Sequence, residues 1–336
     1  MTEAIPPTMP AWRRETYGPA DGFRLEQIPV PAPRHGEVVL EVHATALNAG
    51  DVRVMLGDPL LVRPVFGLTR PRHPVRGMEV AGTVVSVAPG VIGVEVGEVV
   101  VGELAGGGGL AAYTAAPASR LVPVPPDVDL DAAACLPIAG GTAWQALDAA
   151  GVGLGASASP RVLILGASGG VGTFAVQLAA LRGAEVWATA GECNAPLVTH
   201  LGAARVVDHR RSPLSELPAG HFDAVVDIAG GVGLRDLQRL VVSGGRIVLV
   251  TGNGGHLMGP VPRMISAALL SVGSSRRIHP IAATPRPEIL AKLLELTAEG
   301  RITPVIERRY AFDEASAALA HVEAGHTVGK VVVQAG

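Results

Sequence analysis

The segment Gly166-Ala167-Ser168-Gly169-Gly170-Val171-Gly172 carries the sharpest chemical signal in the chain. It directly follows an apolar run, Val162 to Leu165, that reads as a buried strand, and it directly precedes a helical pattern starting near Thr173. Glycines at a strand-to-helix turn permit a tight bend and a close backbone approach to a ligand. The free N–H groups and the positive end of the helix stabilise negative charge there. The spacing therefore predicts a cradle for a dinucleotide pyrophosphate at Gly169, Gly170, Val171 and Gly172. A side chain at Gly169 or Gly172 would obstruct that approach or the helix packing. Ala167 replaces the first glycine of the usual fingerprint.

An NAD site usually has Asp or Glu at the end of the second strand, about 20 residues beyond the loop, to hold the ribose 2′-hydroxyl. Ala188, Thr189 and Ala190 stand at that strand end here. The missing acid removes a repulsion against a 2′-phosphate, which favours NADP(H). Glu192 lies two residues further on and opposes this reading; Asn194, His209 and Arg210 are candidate donors to the phosphate.

The elements that must position this loop follow a strand-then-helix rhythm. Strands are expected at Arg161 to Leu165, Glu185 to Thr189, Ala204 to Val207, Phe222 to Asp227 and Arg246 to Val250, with helices at Gly172 to Arg182, Leu197 to Leu201 and around Leu234 to Val241. Alternating units with continuous apolar strands specify a parallel sheet covered on both faces. Upstream, the short β-branched runs Val38 to Val42, Ala81 to Val87 and Glu98 to Val101, broken by glycine, suggest a small β-barrel or sandwich. Gly102 to Gly109, with five glycines, reads as a flexible surface loop. The prolines at Pro123 to Pro126 mark a domain joint, after which Asp127 to Ala150 turns Ala-rich and helical. In the tail, Pro287 to Glu299 is an amphipathic helix, Thr303 to Tyr310 a strand, Ala315 to Glu323 a helix and Lys330 to Val333 a closing strand.

The bulk properties agree. A chain of 336 residues suggests about two domains, and two domains suggest a cleft. Charged residues make up 17%, below the usual share of about 25%, so a well-buried globular protein is expected. A formal net charge of -3 without a basic run argues against nucleic-acid and anionic-membrane partners. No apolar run reaches the roughly 18 to 20 residues of a membrane span, and the first ten residues lack the pattern of an export signal. Cys135 and Cys193 are the only cysteines and stand far apart, excluding a disulfide framework and a thiolate metal cage. These features lead to the expectation of a reducing, cytoplasmic setting.

Further blocks carry a resemblance: Ala46-Leu47-Asn48-Ala49-Gly50-Asp51, Gly77-Met78-Glu79-Val80-Ala81-Gly82, Leu136-Pro137 with Gly141-Thr142-Ala143, the phosphate loop running to Gln177, and Gly329-Lys330-Val331. In this order the chain resembles the zinc-independent medium-chain dehydrogenases and reductases, in their quinone oxidoreductase or zeta-crystallin-like branch. The resemblance implies an α/β fold, with a doubly wound Rossmann parallel-sheet domain and a GroES-like substrate domain of β-barrel type. The domains would span residues 1–129 and 130–280, with segment 281–336 returning to the substrate domain. A homodimer is implied as well. By match of motif, Asn48 would face the nicotinamide ribose or the substrate, Thr142 the cofactor phosphates, Thr189 and Asn194 the adenosine end, and Gly252 and Asn253 the nicotinamide side. Zinc-dependent relatives carry Cys in place of Asn48 and Gly-His-Glu in place of Gly77-Met78-Glu79, and the region of their four-cysteine zinc lobe is Gly106 to Gly109 here. No metal is expected at either place.

Without a metal, a simple alcohol is hard to oxidise, because the alkoxide needs strong charge stabilisation. A quinone or enone is an easier partner. Hydride then develops charge on a delocalised oxygen that hydrogen-bond donors can stabilise, and Asn48 is the best placed donor. Val52, Arg53 and Val54 occupy the stretch where many relatives have an aromatic hydroxyl, so no proton donor stands out and water could supply the proton. An enoyl or imine reductase, with Leu60 to Arg72 shaping the pocket, is the alternative enzyme; a non-catalytic NADP(H)-binding sensor or structural protein is the alternative of another class.

Overall fold

Short β-branched runs punctuated by Gly and Pro become strands in the first part of the chain: β1 (Thr8–Arg13), β2 (Arg24–Pro29), β3 (Glu37–Leu47), β4 (Glu79–Val87), β5 (Val99–Glu103), β6 (Tyr113–Pro117) and β7 (Leu121–Pro123). Helices α1 (Ala49–Leu56) and α2 (Arg63–Phe66) lie between β3 and β4. After α3 (Leu130–Ala134), a π-helical turn Leu136–Gly140 leads into α4 (Gly141–Ala150). Alternation then begins with β8 (Arg161–Leu165), α5 (Gly170–Leu181), β9 (Glu185–Ala190), α6 (Ala195–His200), β10 (Arg205–Asp208) and β11 (Phe222–Asp227). It continues through α7 (Leu234–Leu240), β12 (Val241–Leu249), α8 (Val261–Ser271) and β13 (Arg277–Pro280). The tail holds α9 (Pro287–Ala298), β14 (Ile306–Ala311), α10 (Ala315–Ala324) and β15 (Lys330–Gln334). The computed structural model describes residues 5–153, 159–250 and 254–335. It divides into two units, Met1–Ile138 with Pro285–Gly336, and Ala139–Thr284.

In the first unit a sheet runs in the order β14-β15-β3-β4-β5-β7, with β6 also paired to β3. The length of β3 makes this branching possible: Glu37 to Glu41 pair with β6, and Ala44 to Leu47 pair with β15. Val38, Leu40 and Val42 alternate into a core with Val80, Val84 and Val100, as expected for strands with one buried face. The tail is thus part of this sheet. Asp131 of α3 secures it, accepting from Arg309 at 2.6 Å and Gln334 at 2.8 Å.

The glycine-rich segment departs from expectation. Gly102 belongs to β5, and Gly106 to Gly109 are packed instead of forming a flexible surface loop. The N–H groups of Gly108 and Leu110 donate to the Arg76 carbonyl at 3.2 and 2.9 Å, and that of Gly109 donates to the Gly77 carbonyl at 2.9 Å. A Cβ at Gly109 would overlap Thr45 Oγ1 and crowd the Gly77 backbone. Glycine composition signals both chain freedom and close backbone approach, and here the second governs.

The second unit is a six-stranded sheet in the order β10-β9-β8-β11-β12-β13, every pairing parallel. Strand order reverses between β8 and β11, the place where open α/β sheets present a crevice beyond their carboxyl ends. The core joins Leu163, Leu165, Phe222, Val225, Leu237 and Ile247. Strand β12 starts at Val241, earlier than its apolar run, because the register shifts between Phe222 and Ala224 of its partner. The β1–β2 hairpin, β13, α1 and α2 had no sequence signature strong enough to predict them.

Gly109→Ala is expected to lower the unfolding free energy by about 1–3 kcal/mol through overpacking against Thr45, measured by denaturant unfolding; an unchanged midpoint would contradict the packing described here.

Candidate functional site

In the second unit the turn after β8 is built from glycine geometry. Gly166 adopts φ +82, and a Cβ on it would come within 3.1 Å of the Ala229 nitrogen in the loop that follows β11. The loops on the two sides of the strand-order reversal are therefore in close approach. Gly169 is the N-cap of α5, and a Cβ on Gly172 would overlap the Gly166 carbonyl oxygen and Ala167, so position 172 accepts only glycine. Gly169 is different: its Cβ would meet nothing nearer than 3.7 Å, leaving that side of the turn open. The first N–H groups of α5, at Gly170, Val171 and Gly172, have no acceptor within the helix and carry its positive end. A dinucleotide diphosphate fits this cradle.

Thr189 reaches the same turn from behind. Its hydroxyl accepts from Gly166 N–H at 3.1 Å, its carbonyl accepts from Ala167 N–H at 3.1 Å, and it is 5% exposed. It braces the loop. Asn194 caps the start of α6 half-buried, while His209 and Arg210 are exposed in the turn after β10. The Arg210 guanidinium carbon stands 3.9 Å from where a Cβ of Gly191 would be, just past the end of β9. Glu192 is held by Arg211, with contacts at 2.5 and 3.1 Å. Thr142 lies half-buried in the first turn of α4. Gly252 and Asn253 lie outside the described residues.

In the first unit, Asn48 stands between β3 and α1, and its side chain enters a charged cluster that sequence reasoning did not assemble. Asn48 Nδ2 donates to Glu79 Oε1 at 2.8 Å and to the Ala46 carbonyl at 3.3 Å; Asn48 Oδ1 accepts from Lys330 Nζ at 2.5 Å. Lys330 Nζ also donates to Glu79 Oε1 at 2.8 Å and to the Leu47 carbonyl at 3.1 Å. Glu79 Oε2 accepts from Ile138 N–H at 2.8 Å. The Lys330 and Glu79 side chains are 2% and 0% exposed, a burial tolerated only because charge and hydrogen bonds are both matched. Glu79 and Lys330 each open a strand whose next residues are apolar, and a charge directly before such a run is a signal for a buried partner. Met78 presents its sulfur toward Gly50 of α1.

Asp51 extends the cluster. One of its carboxylate oxygens accepts from Asn48 N–H and the other from Gly77 N–H, each at 3.0 Å, tying the start of α1 to the residues before β4. Burial pushes its carboxyl up to about 6, against the pull of the Arg76 guanidinium and of these two donors.

Residues 34–126 match the alcohol dehydrogenase GroES-like domain, and residues 201–333 match the zinc-binding dehydrogenase family. The chain is 35% identical over 334 residues to the chloroplast envelope quinone oxidoreductase homolog of Arabidopsis thaliana, covering 97% of this chain and 98% of that protein. The chain belongs to the medium-chain dehydrogenases and reductases, in their quinone oxidoreductase branch. Within the family it is 30% identical to the chloroplastic NADPH-dependent alkenal/one oxidoreductase of Arabidopsis thaliana, covering 98% of this chain and 80% of that one. It superposes on the quinone oxidoreductase from Coxiella burnetii with a TM-score of 0.86 at 28% identity, covering 98% and 100% of the two chains. The expected fold, a GroES-like domain plus a Rossmann sheet, and oxidoreductase membership are borne out.

The cytoplasmic setting does not stand. Several of the similar proteins are named as chloroplastic or mitochondrial, so the family resemblance does not support that expectation. Cysteine scarcity excludes a disulfide framework, and that constrains redox chemistry without fixing the compartment. Among the described residues no helix is long and apolar enough to cross a membrane.

Because the folded value of Asp51, about 6, lies above its ordinary value of 3.8, the folded state holds the extra proton between those values. Stability then falls as pH rises through that window, by on the order of 2–3 kcal/mol, and is flat above it. Denaturant unfolding from pH 4 to 7 should show this fall in the native chain and a flatter profile in Asp51→Asn; equal slopes would refute it.

Proposed function

We propose that this chain transfers hydride from NADPH to a quinone or an α,β-unsaturated carbonyl, and that it does so without zinc. The observation that carries the reading is the Asn48–Glu79–Lys330 cluster in a chain whose second unit offers a dinucleotide cradle. When bound, NADPH supplies the hydride. Gly169 to Gly172 would hold its diphosphate, Thr142 a neighbouring phosphate group, and Asn194, His209 and Arg210 the adenosine end; Asn48 would be the donor to the acceptor oxygen. The acceptor class is supported by the names of the similar proteins, quinone oxidoreductase and NADPH-dependent alkenal/one oxidoreductase.

The donor set argues against zinc. An amide, a thioether and a carboxylate that already receives an ammonium at 2.8 Å make a poor ligand group for a borderline-soft dication, and Lys330 would repel the ion. Among the described residues no group of three His, Cys, Asp or Glu side chains gathers elsewhere to hold a metal. A conjugated acceptor needs less help, because the incoming negative charge is delocalised over its oxygen. An acceptor panel with NADPH should then show turnover of quinones and enones that survives exhaustive chelation. Loss of most activity with EDTA, or turnover of cyclic imines alone, would overturn the proposal.

NADPH is favoured over NADH by the charges beyond β9. Arg211 neutralises Glu192, and Arg210 stands beside Gly191 without a competing acid in the β9 strand end. A charge-assisted bond of about 1.5–3 kcal/mol corresponds to roughly 10- to 100-fold. Arg210→Ala should reduce the NADPH-over-NADH ratio of kcat/KM by about that factor; an unchanged ratio would move the 2′-phosphate elsewhere.

The protein is a homodimer in this proposal. Among the described residues strand β13 ends the parallel sheet with one edge unpaired, and α8, which packs against β13, exposes Met264, Ile265 and Leu269, with Val272 just beyond it. An open edge beside an apolar face is a place where two copies can pair about a two-fold axis. Leu269→Glu is expected to yield monomers in sedimentation equilibrium; a wild-type chain that sediments as a monomer would refute the dimer.

A further inference from the structure

We infer that Lys330 is a positioning residue for the reaction, holding and polarising the Asn48 amide so that its N–H is a strong donor to the acceptor oxygen. This rests on the proposed role of Asn48 as the donor. The ammonium has three N–H bonds and three acceptors: Asn48 Oδ1 at 2.5 Å, Glu79 Oε1 at 2.8 Å and the Leu47 carbonyl at 3.1 Å. It has no proton left to give to a substrate, so it acts through its neighbours. The bond to Oδ1 fixes which end of the amide is oxygen and which is nitrogen.

The other end of the amide shows where a substrate oxygen would compete. One Nδ2 hydrogen is held by the Glu79 carboxylate at 2.8 Å; the second reaches the Ala46 carbonyl at 3.3 Å, the longest bond in the cluster. An oxygen gaining negative charge would take that second hydrogen from a neutral carbonyl at little cost. Charge withdrawn from Oδ1 by the ammonium makes the N–H groups better donors, since linked hydrogen bonds polarise one another. Glu79 balances the ammonium, keeping a buried charge of net zero beside the site, and its second oxygen is held by Ile138 N–H. The placement follows from sheet register: Val331 opposite Leu47 sets Lys330 beside Asn48, so the last strand of the chain furnishes the residue.

The test is steady-state NADPH oxidation by the full chain with 1,4-benzoquinone, in wild type, Asn48→Ala, Lys330→Gln, Lys330→Arg and the double variant Asn48→Ala/Lys330→Gln. Lys330→Gln should lower kcat about 10- to 100-fold while the KM for NADPH moves less than about 3-fold. Lys330→Arg should recover part of the loss. In the Asn48→Ala background, Lys330→Gln should cost little more, because both changes remove one effect. Multiplying losses, or a wild-type kcat in Lys330→Gln or Asn48→Ala, would overturn the inference. Glu79→Gln/Lys330→Gln strands no buried charge and guards against misfolding; it should stay folded by circular dichroism and still show the low kcat, and a wild-type kcat in it would also overturn the inference. A wild-type chain that binds NADPH but oxidises it with no quinone or enone would instead bring down the proposed function.

Discussion

The buried ion pair between Lys330 and Glu79 is the constraint on which the first unit depends. At 2% and 0% exposure each charge has lost its water, and each is tolerable only while the other is in place. Their positions are 251 residues apart in sequence. Satisfying them requires β15 to lie beside β3 and β4 to start at the level where β3 ends, which is the register observed. Removing one partner from such a pair typically costs about 3–5 kcal/mol, a large part of the stability of a marginal fold. The C-terminal strand is therefore both a closing element of the sheet and the source of a charge at the candidate site.

Close backbone approach is the second theme, and it recurs in both units. Gly109 lies against Thr45 and Gly77, and Gly172 against Gly166 and Ala167; neither position leaves room for a Cβ. In the first unit this closeness packs the segment after β5 onto the residues that precede Glu79. In the second it keeps the turn after β8 tight enough to aim the N–H groups of α5 outward. Glycine thus serves packing density in one place and a tight strand-to-helix turn in the other.

The proposed chemistry follows from what the cluster is. An amide whose oxygen is bonded to an ammonium and whose nitrogen is bonded to a carboxylate is an oriented, preorganised dipole. Such dipoles stabilise developing charge without reorganising at the moment of reaction. A conjugated carbonyl asks for that kind of help, whereas an alkoxide asks for a metal. The buried Asp51, bonded to the Asn48 backbone and to Gly77, holds this dipole on the scaffold.

The sequence by itself determined the parallel sheet, the turn after β8 and the family, because strand periodicity, glycine spacing and block order are local properties of the chain. Strand β11 was legible residue for residue, since an apolar run buried on both faces announces its own ends. The turn after β8 was legible for the same reason, with strand, turn and helix contiguous. Only the tertiary structure decided that Gly106 to Gly109 pack tightly, that Thr189 braces the loop from behind, and that Asn48 has both ends of its amide engaged. It alone brought Lys330 to Glu79. Glycine counts cannot distinguish freedom from crowding, and the partner of a buried charge is chosen by strand register between distant segments, which no local pattern encodes.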